Sequence, residues 1–185
     1  MADARPFVIR LARLRVPLGF LSGLVALWLS RPTVDTVAWG AVVAAVGEAL
    51  RVWAAGHLNK AREVTTSGPY RWVAHPLYVG SSIMGAGLAI ASNSVLVAAL
   101  VVAYLTATLA AAVKTEESFL SRTFGVDYEQ YRRSSGANAP AGTNGNGARR
   151  FSAARAMANH EARAVVGLLV AVLLLFLKAT YNGLF

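Results

Sequence analysis

Between two apolar blocks the chain carries Ser67-Gly68-Pro69-Tyr70-Arg71-Trp72-Val73-Ala74-His75-Pro76-Leu77-Tyr78-Val79-Gly80, its densest run of polar, aromatic and backbone-bending residues. Gly68-Pro69 signals a turn, while Pro76 pushes His75 into an extended conformation and is itself suited to open a helix. A structured loop running into a helix start is expected, with free N–H groups and positive dipole character facing the carboxylate or phosphate end of a ligand. The same residues also suit a membrane-interface turn decorated with Tyr and Trp. Further along, Glu116 and Glu117 lie side by side where an apolar run ends. Adjacent carboxylates oppose the dipole at the C-terminal end of a helix. A cationic or hydroxyl-rich ligand would account for them, and so would solvation in water. Tyr70, His75 and Tyr78 on the loop, with Glu116 and Glu117 on the helix end, form the expected polar pocket, one Glu pointing inward and the other outward.

Other chemistries find little footing. There is no plausible Ser-His-Asp order and no glycine-rich strand-to-helix nucleotide motif. The histidines, His57, His75 and His160, lack the fixed spacing of a zinc helix, so no metal site is expected. A lone His in such a setting is ordinarily a hydrogen-bonding loop residue. With no cysteine there is no disulfide, thiolate nucleophile or Cys-based metal site. The net charge of +9 comes from arginines on the flanks of apolar runs, which suits loops facing anionic lipid and not nucleic acid.

The elements that must position these residues are membrane helices. An apolar fraction of 56% and a mean hydropathy of +0.48 place the chain outside the ordinary soluble class. The expected architecture is all-α, an integral membrane bundle of about five spans forming a single domain over 1–185. The first span begins near Leu11 and ends at Ser30-Arg31-Pro32; no small-x-small cleavage site follows, so it is read as uncleaved. A second runs from about Val34 to Ala55 and carries Glu48 and Arg51, three apart on one face. They either pair with each other or face a polar cavity in the bundle. Helix resumes at Pro76 and continues to about Ser92, with Gly80, Ser81, Ser82, Gly85, Ala86 and Gly87 making a small-residue face for close packing or for contact with a flat ligand. Ser92-Asn93-Ser94 turns the chain into a return span from about Val95 to Val113. Its amphipathic extension through Phe119, Leu120 and Phe124 stops at Gly125. Residues 134–148 read as a flexible linker rich in Ser, Gly, Asn and Ala. Arg149 to Arg163 reads as an interfacial helix with Phe151, Ala154, Met157 or Ala158, and Val165 on one face, and a last span covers Ala164 to Ala179. If odd-numbered spans cross outward, all the Lys and Arg residues except Arg31 and Lys178 fall on the cytoplasmic side. That bias predicts an inside N-terminus and puts the central loop and the Glu pair on one membrane face.

In order, Gly68-Pro69-Tyr70, His75-Pro76-Leu77-Tyr78-Val79-Gly80, Glu116-Glu117, Phe124-Gly125, Tyr128 and Tyr131 resemble the isoprenylcysteine carboxyl methyltransferase and phospholipid methyltransferase superfamily of integral membrane enzymes. The resemblance covers about Gly56 to Arg133. It implies S-adenosyl-L-methionine as cofactor, held at the cytoplasmic interface, and a lipophilic or lipid methyl acceptor reached from the bilayer. By position it implies that Arg62, Glu63, Val64, Thr65, Tyr70, Ala74, His75, Pro76, Leu77 and Tyr78 line the cofactor, with Glu116 and Glu117 at its polar end. Gly85-Ala86-Gly87 resembles a Gly-x-Gly that the phospholipid branch assigns to cofactor binding. His75 and Glu117 are the nearest groups to take a proton from an amine or thiol acceptor, whereas a carboxylate acceptor needs no base. The sequence departs from the superfamily at Ala74, where Arg is usual before His-Pro, and from its prenylcysteine-type members at Ala112, where they carry Arg, and it lacks the Val-Pro that commonly follows the last Tyr. A non-catalytic membrane scaffold or transport-associated relative, and a membrane reductase using a nicotinamide cofactor, are the alternatives.

Overall fold

The computed structural model describes residues 6–59, 64–126, 128, 129, 133 and 150–182 of the chain. The helices are α1 (Pro6–Leu29), α2 (Val34–His57), α3 (Pro76–Ser92), α4 (Val95–Phe124), α5 (Ala153–Ala158) and α6 (Glu161–Asn182), with a single 3₁₀ turn over Gly68–Arg71. Among the described residues there is no strand, and the protein is an all-α bundle. Local signals set most of the ends. Thr33 and Thr36 form a reciprocal capping box at the start of α2, Thr36 N donating to Thr33 Oγ1 at 3.2 Å and Thr33 N to Thr36 Oγ1 at 2.9 Å. Ser94 caps α4, and Asn93 between α3 and α4 takes the left-handed conformation that closes a tight turn. With 30 residues α4 is about 45 Å long at ~1.5 Å per residue, longer than the hydrocarbon is thick, so its last turns with Glu116 and Glu117 extend past the apolar stretch.

The pair α2 and α3 is where the bundle is most closely packed. Their backbones touch through small residues at helical spacing, Gly40, Ala44 and Gly47 on α2 against Gly80, Gly87 and Ala91 on α3. A Cβ added at Gly40 would lie 2.5 Å from Ala91 N and Gly87 O, and one at Gly47 would lie 2.5 Å from Met84 N and 2.6 Å from Gly80 O. Rising numbers on α2 meet falling numbers on α3, so the two run antiparallel. In lipid there is no hydrophobic drive between apolar helices, and such backbone approach supplies dispersion and weak Cα–H···O contacts instead.

One end of the bundle gathers the end of α1, the start of α2, the α3–α4 turn and the end of α6. There Arg31 N donates to Ser92 O at 2.8 Å, and Lys178 Nζ donates to Leu27 O at 2.7 Å, Trp28 O at 3.0 Å and Ser30 Oγ at 3.3 Å. Val37, Ala91, Leu175 and Ala179 form a buried cluster just inside it. Val34–His57, Val95–Phe124 and Glu161–Tyr181 are long and apolar enough to cross a membrane, and Pro17–Leu29 and Pro76–Ser92 are shorter apolar helices beside them. Large apolar side chains such as Leu24, Trp39, Val102 and Leu169 face outward, as a lipid-facing surface requires. The chain is a membrane protein.

Helix α1 extends back to Pro6, beyond the span expected from near Leu11, while the elements after residue 149 need correction. The interfacial helix expected over Arg149 to Arg163 is only Ala153–Ala158, because His160 takes φ 65° and breaks it, and the last long helix begins at Glu161 instead of Ala164. Phe151 precedes this short helix and packs against Gly56 and the His57 ring. The expected linker over 134–148 lies outside the described residues.

Gly47→Val should lower the melting temperature of the detergent-solubilised protein by several degrees or abolish folding, since its Cβ meets only backbone. Gly167→Ala, with nothing within 4 Å, should leave it unchanged or raise it, Ala being about 1 kcal/mol the better helix former.

Candidate functional site

The loop between α2 and α3 is fastened to the end of α2 before it reaches His75. His57, the last residue of α2, is buried, and its Nδ1 lies 3.1 Å from Ser67 Oγ. Gly68 follows with φ +59°, and a Cβ there would lie 2.6–2.8 Å from the His57 ring, so both backbone and space demand glycine. Asn59 N donates to Thr65 Oγ1 at 3.3 Å, and the Trp72 ring sits 5.7 Å from that of Trp53. Sequence reading passed over His57 as an anchor; its signal was a histidine at a helix end beside Gly56 and shortly before Gly68. Behind this anchor Asn159 Nδ2 donates to Ala55 O at 2.9 Å and Leu58 O at 3.0 Å, which joins the turn after α5 to the end of α2.

Pro76 occupies the first turn of α3, so its missing N–H costs nothing, and the His75 carbonyl accepts from Tyr78 N and Val79 N at 3.1 and 3.2 Å. The His75 side chain makes no capping bond and reaches instead toward α4. Its Nε2 lies 3.4 Å from Glu117 Oε1 and its Nδ1 lies 4.0 Å from Glu116 Oε2. Tyr78, one turn into α3, donates its hydroxyl to Glu116 Oε2 at 2.6 Å, and its ring stacks at a tilt 5.7 Å from the imidazole. His75 is mostly enclosed, while both carboxylates are partly open at 40% and 38% side-chain exposure. The inward-and-outward division expected for Glu116 and Glu117 does not hold. Successive helix residues diverge by about 100°, and an imidazole lying between the two directions draws both side chains.

The structure thus brings His75, Tyr78, Glu116 and Glu117 together. Tyr70 and Thr65 are buried in the anchored loop, Val64 is half-buried, and Pro76 and Leu77 form the first turn of α3. Arg62 and Glu63 lie outside the described residues, as does Tyr131. Gly125 stops α4 with φ 48°, and Tyr128 beyond it is buried. Gly85 and Gly87 are used for packing: a Cβ at Gly85 would lie 2.5 Å from Leu105 Cδ1 of α4, and one at Gly87 would strike Ala44 N of α2. Close approach of helices accounts for both, and neither touches the His75 cluster. A hollow of about 530 Å³ lined in part by Trp28, Arg31, Asn93 and Leu96 opens at the opposite end of the bundle and contains none of these residues. The chemistry of the side chains, not the size of that hollow, marks the site. Sequence reading also missed the partner of Arg51, which pairs with Glu161 of α6 as well as with Glu48.

A helical membrane bundle that sets an imidazole, a phenol and two carboxylates beside one another near the end of its long apolar helix defines a class of membrane protein with an acidic site at one end of the bundle. The phospholipid methyltransferase family matches residues 35–127, from α2 to just past Gly125, and the chain belongs to that family. The nickel-cobalt-cadmium resistance protein NccN of Alcaligenes xylosoxydans xylosoxydans is 31% identical over 108 residues, which are 57% of this chain and 49% of that protein. The chain therefore spans about half the length of that relative. No solved structure matches.

Gly68→Ala should destabilise the protein by about 1–2 kcal/mol through left-handed backbone strain and displacement of His57. The Trp53–Trp72 contact should loosen with it, so a red-shifted tryptophan emission alongside a lowered melting temperature is the expected readout.

Proposed function

We propose that this protein transfers a methyl group from S-adenosyl-L-methionine to a lipophilic acceptor at the cytoplasmic membrane interface. The convergence of His75, Tyr78, Glu116 and Glu117 on one spot supports the reading most directly. The residues suit the donor. Two half-open carboxylates can accept hydrogen bonds from an ammonium group or from ribose hydroxyls, and their negative charge complements a sulfonium. When bound, S-adenosyl-L-methionine supplies an electrophilic methyl group on a positively charged sulfur.

Within this reading each side chain has a task. Glu116, held in place by the Tyr78 hydroxyl, accepts hydrogen bonds from the polar end of the donor. Glu117 orients the His75 ring through Nε2, and His75 takes the proton when the acceptor is an amine or a thiol; a carboxylate acceptor needs no base. Tyr70, Thr65, Val64 and the first turn of α3 are the further residues that would hold the donor when it binds. In-line displacement neutralises charge when the nucleophile is anionic, so alignment in a site screened from water is the protein's main contribution. The acceptor enters from the bilayer between helices and the donor from the cytosol. The Lys and Arg distribution along the sequence, which under a five-span path assigns all but Arg31 and Lys178 to one side, supports this orientation and the crossing of Pro17–Leu29 and Pro76–Ser92 as well.

A second reading rests on two observations. Ala74 precedes His75 where the superfamily usually carries Arg, and Ala112 is buried one turn before Glu116 where prenylcysteine-type members carry Arg. The relative matched over about half its length is named for metal resistance. A member that keeps the fold without the reaction, serving resistance as a membrane scaffold or transport-associated subunit, fits both. Cofactor binding separates the two readings.

Calorimetric titration of the nanodisc-embedded protein should show S-adenosyl-L-methionine binding that weakens at least about tenfold, roughly 1.4 kcal/mol, in Glu116→Gln and in His75→Ala with melting temperatures unchanged. Wild-type protein that binds no donor at millimolar concentration would leave the non-catalytic reading standing.

A further inference from the structure

Three ionisable side chains, Glu48, Arg51 and Glu161, meet on the side of α3 that faces α2. Arg51 of α2 donates through Nη1 to Ser81 Oγ of α3 and through Nη2 to both oxygens of Glu161 of α6, at 3.1 and 3.0 Å. Glu161 is 6% exposed and so is Glu48, which lies one turn before Arg51. The Arg51 Nε is 3.3 Å from Glu48 Oε2, yet the two are misaligned, and neither oxygen of Glu48 has a hydrogen-bond partner among the described residues. Two carboxylates therefore share one guanidinium, and the pair that its Nη2 makes with both oxygens of Glu161 already matches its charge. An ionised carboxylate that is dry and receives no hydrogen bond is among the costliest states a side chain can adopt in a packed interior. Among the described residues the charged groups acting on Glu48 are Arg51 from its own helix and Glu161 from α6, and the contact from α3 to this cluster is the neutral Ser81 on Arg51. Within the cluster nothing else cancels the second negative charge.

We propose that Glu48, Arg51 and Glu161 form a buried proton-binding site, in which Glu48 holds one proton per chain and its occupancy governs how firmly α6 docks on α2 and α3. With the proton in place the cluster is neutral, and Arg51 is free to bridge Ser81 and Glu161. When the proton leaves to water, the Glu48 carboxylate competes with Glu161 for Arg51, and the first turn of α6 loses its tie to the rest of the bundle. The native chain then holds a proton that the unfolded chain releases at neutral pH, so stability falls as pH rises through the loss of that proton. This site is separate from the His75 cluster and does not depend on methyl transfer.

Infrared difference spectra of the full chain in nanodiscs, wild type minus Glu48→Gln, test the assignment. The expected result at neutral pH is a protonated-carboxyl C=O band that disappears in Glu48→Gln and is the same with or without sodium. Glu48→Gln should melt at or above the wild-type temperature and lose the fall in stability with rising pH. Glu161→Gln should melt several degrees lower, because Arg51 then lacks the Glu161 carboxylate. A band untouched by Glu48→Gln overturns the proposal. So does a Glu48→Gln protein that fails to fold or melts as low as Glu161→Gln, either of which would show that an ionised Glu48 holds Arg51. Melting that rises with sodium at fixed pH in wild type alone would assign the site to a metal cation and overturn the proton.

Discussion

Contact between the backbones of α2 and α3 is the constraint on which the rest of the structure depends. Gly40, Ala44, Gly47, Gly80, Gly87 and Ala91 place nothing larger than a methyl group between the helices along this stripe, so the separation and register of the pair are set largely by main-chain atoms. Dispersion falls off steeply with distance, and a gap of even one methyl group at this interface would forfeit it along the whole length. The contact also fixes where α3 begins relative to where α2 ends. Only with that register does the His57 ring meet Ser67 and Gly68 while Arg51 meets Ser81.

From this pair the candidate site follows by short steps. The loop leaving α2 is pinned at His57 and by the Trp53–Trp72 contact, so the chain arrives at His75 from a defined direction. Pro76 removes one N–H and sets the entry angle, and the first turn of α3 then carries Tyr78 around to α4. Helix α4 contributes through length: a helix that ended with its apolar stretch would never bring Glu116 and Glu117 to the imidazole. The site is thus assembled from a rigid interface, a pinned loop and a helix that overruns the hydrocarbon.

The two ionisable clusters of the protein are treated in opposite ways. At the end of α4 the carboxylates stay partly open, where water and a polar ligand can screen them. Around Arg51 the charges are enclosed between α2, α3 and α6, and hydrogen bonds from the guanidinium must do what water does elsewhere. Residues 35–127, matched by the family, supply Glu48, Arg51 and Ser81, while Glu161 comes from α6 outside that stretch. The last helix is therefore joined to the family core by a charge contact as well as by apolar packing.

The start of α2 at Val34, the bounds of α3 at Pro76 and Ser92, the stop at Gly125 and the all-α membrane class were legible from the chain alone. Each rests on residues within a few positions of one another: a proline, a left-handed Asn or Gly, or an unbroken apolar run. The meeting of His75 with Glu116 could also be anticipated, because an antiparallel helix hairpin must return its second strand of chain to the side it left. What neighbouring residues could not convey is which of several possible partners a side chain takes. Arg51 pairs with Glu48 three residues away and also reaches both oxygens of Glu161 from Nη2; both Glu116 and Glu117 turned toward one imidazole; Gly85 and Gly87 met helices. The break at His160 likewise depends on how the turn after α5 seats against Ala55 and Leu58. These outcomes are decided by distances between residues remote along the chain, which exist only once the helices are packed.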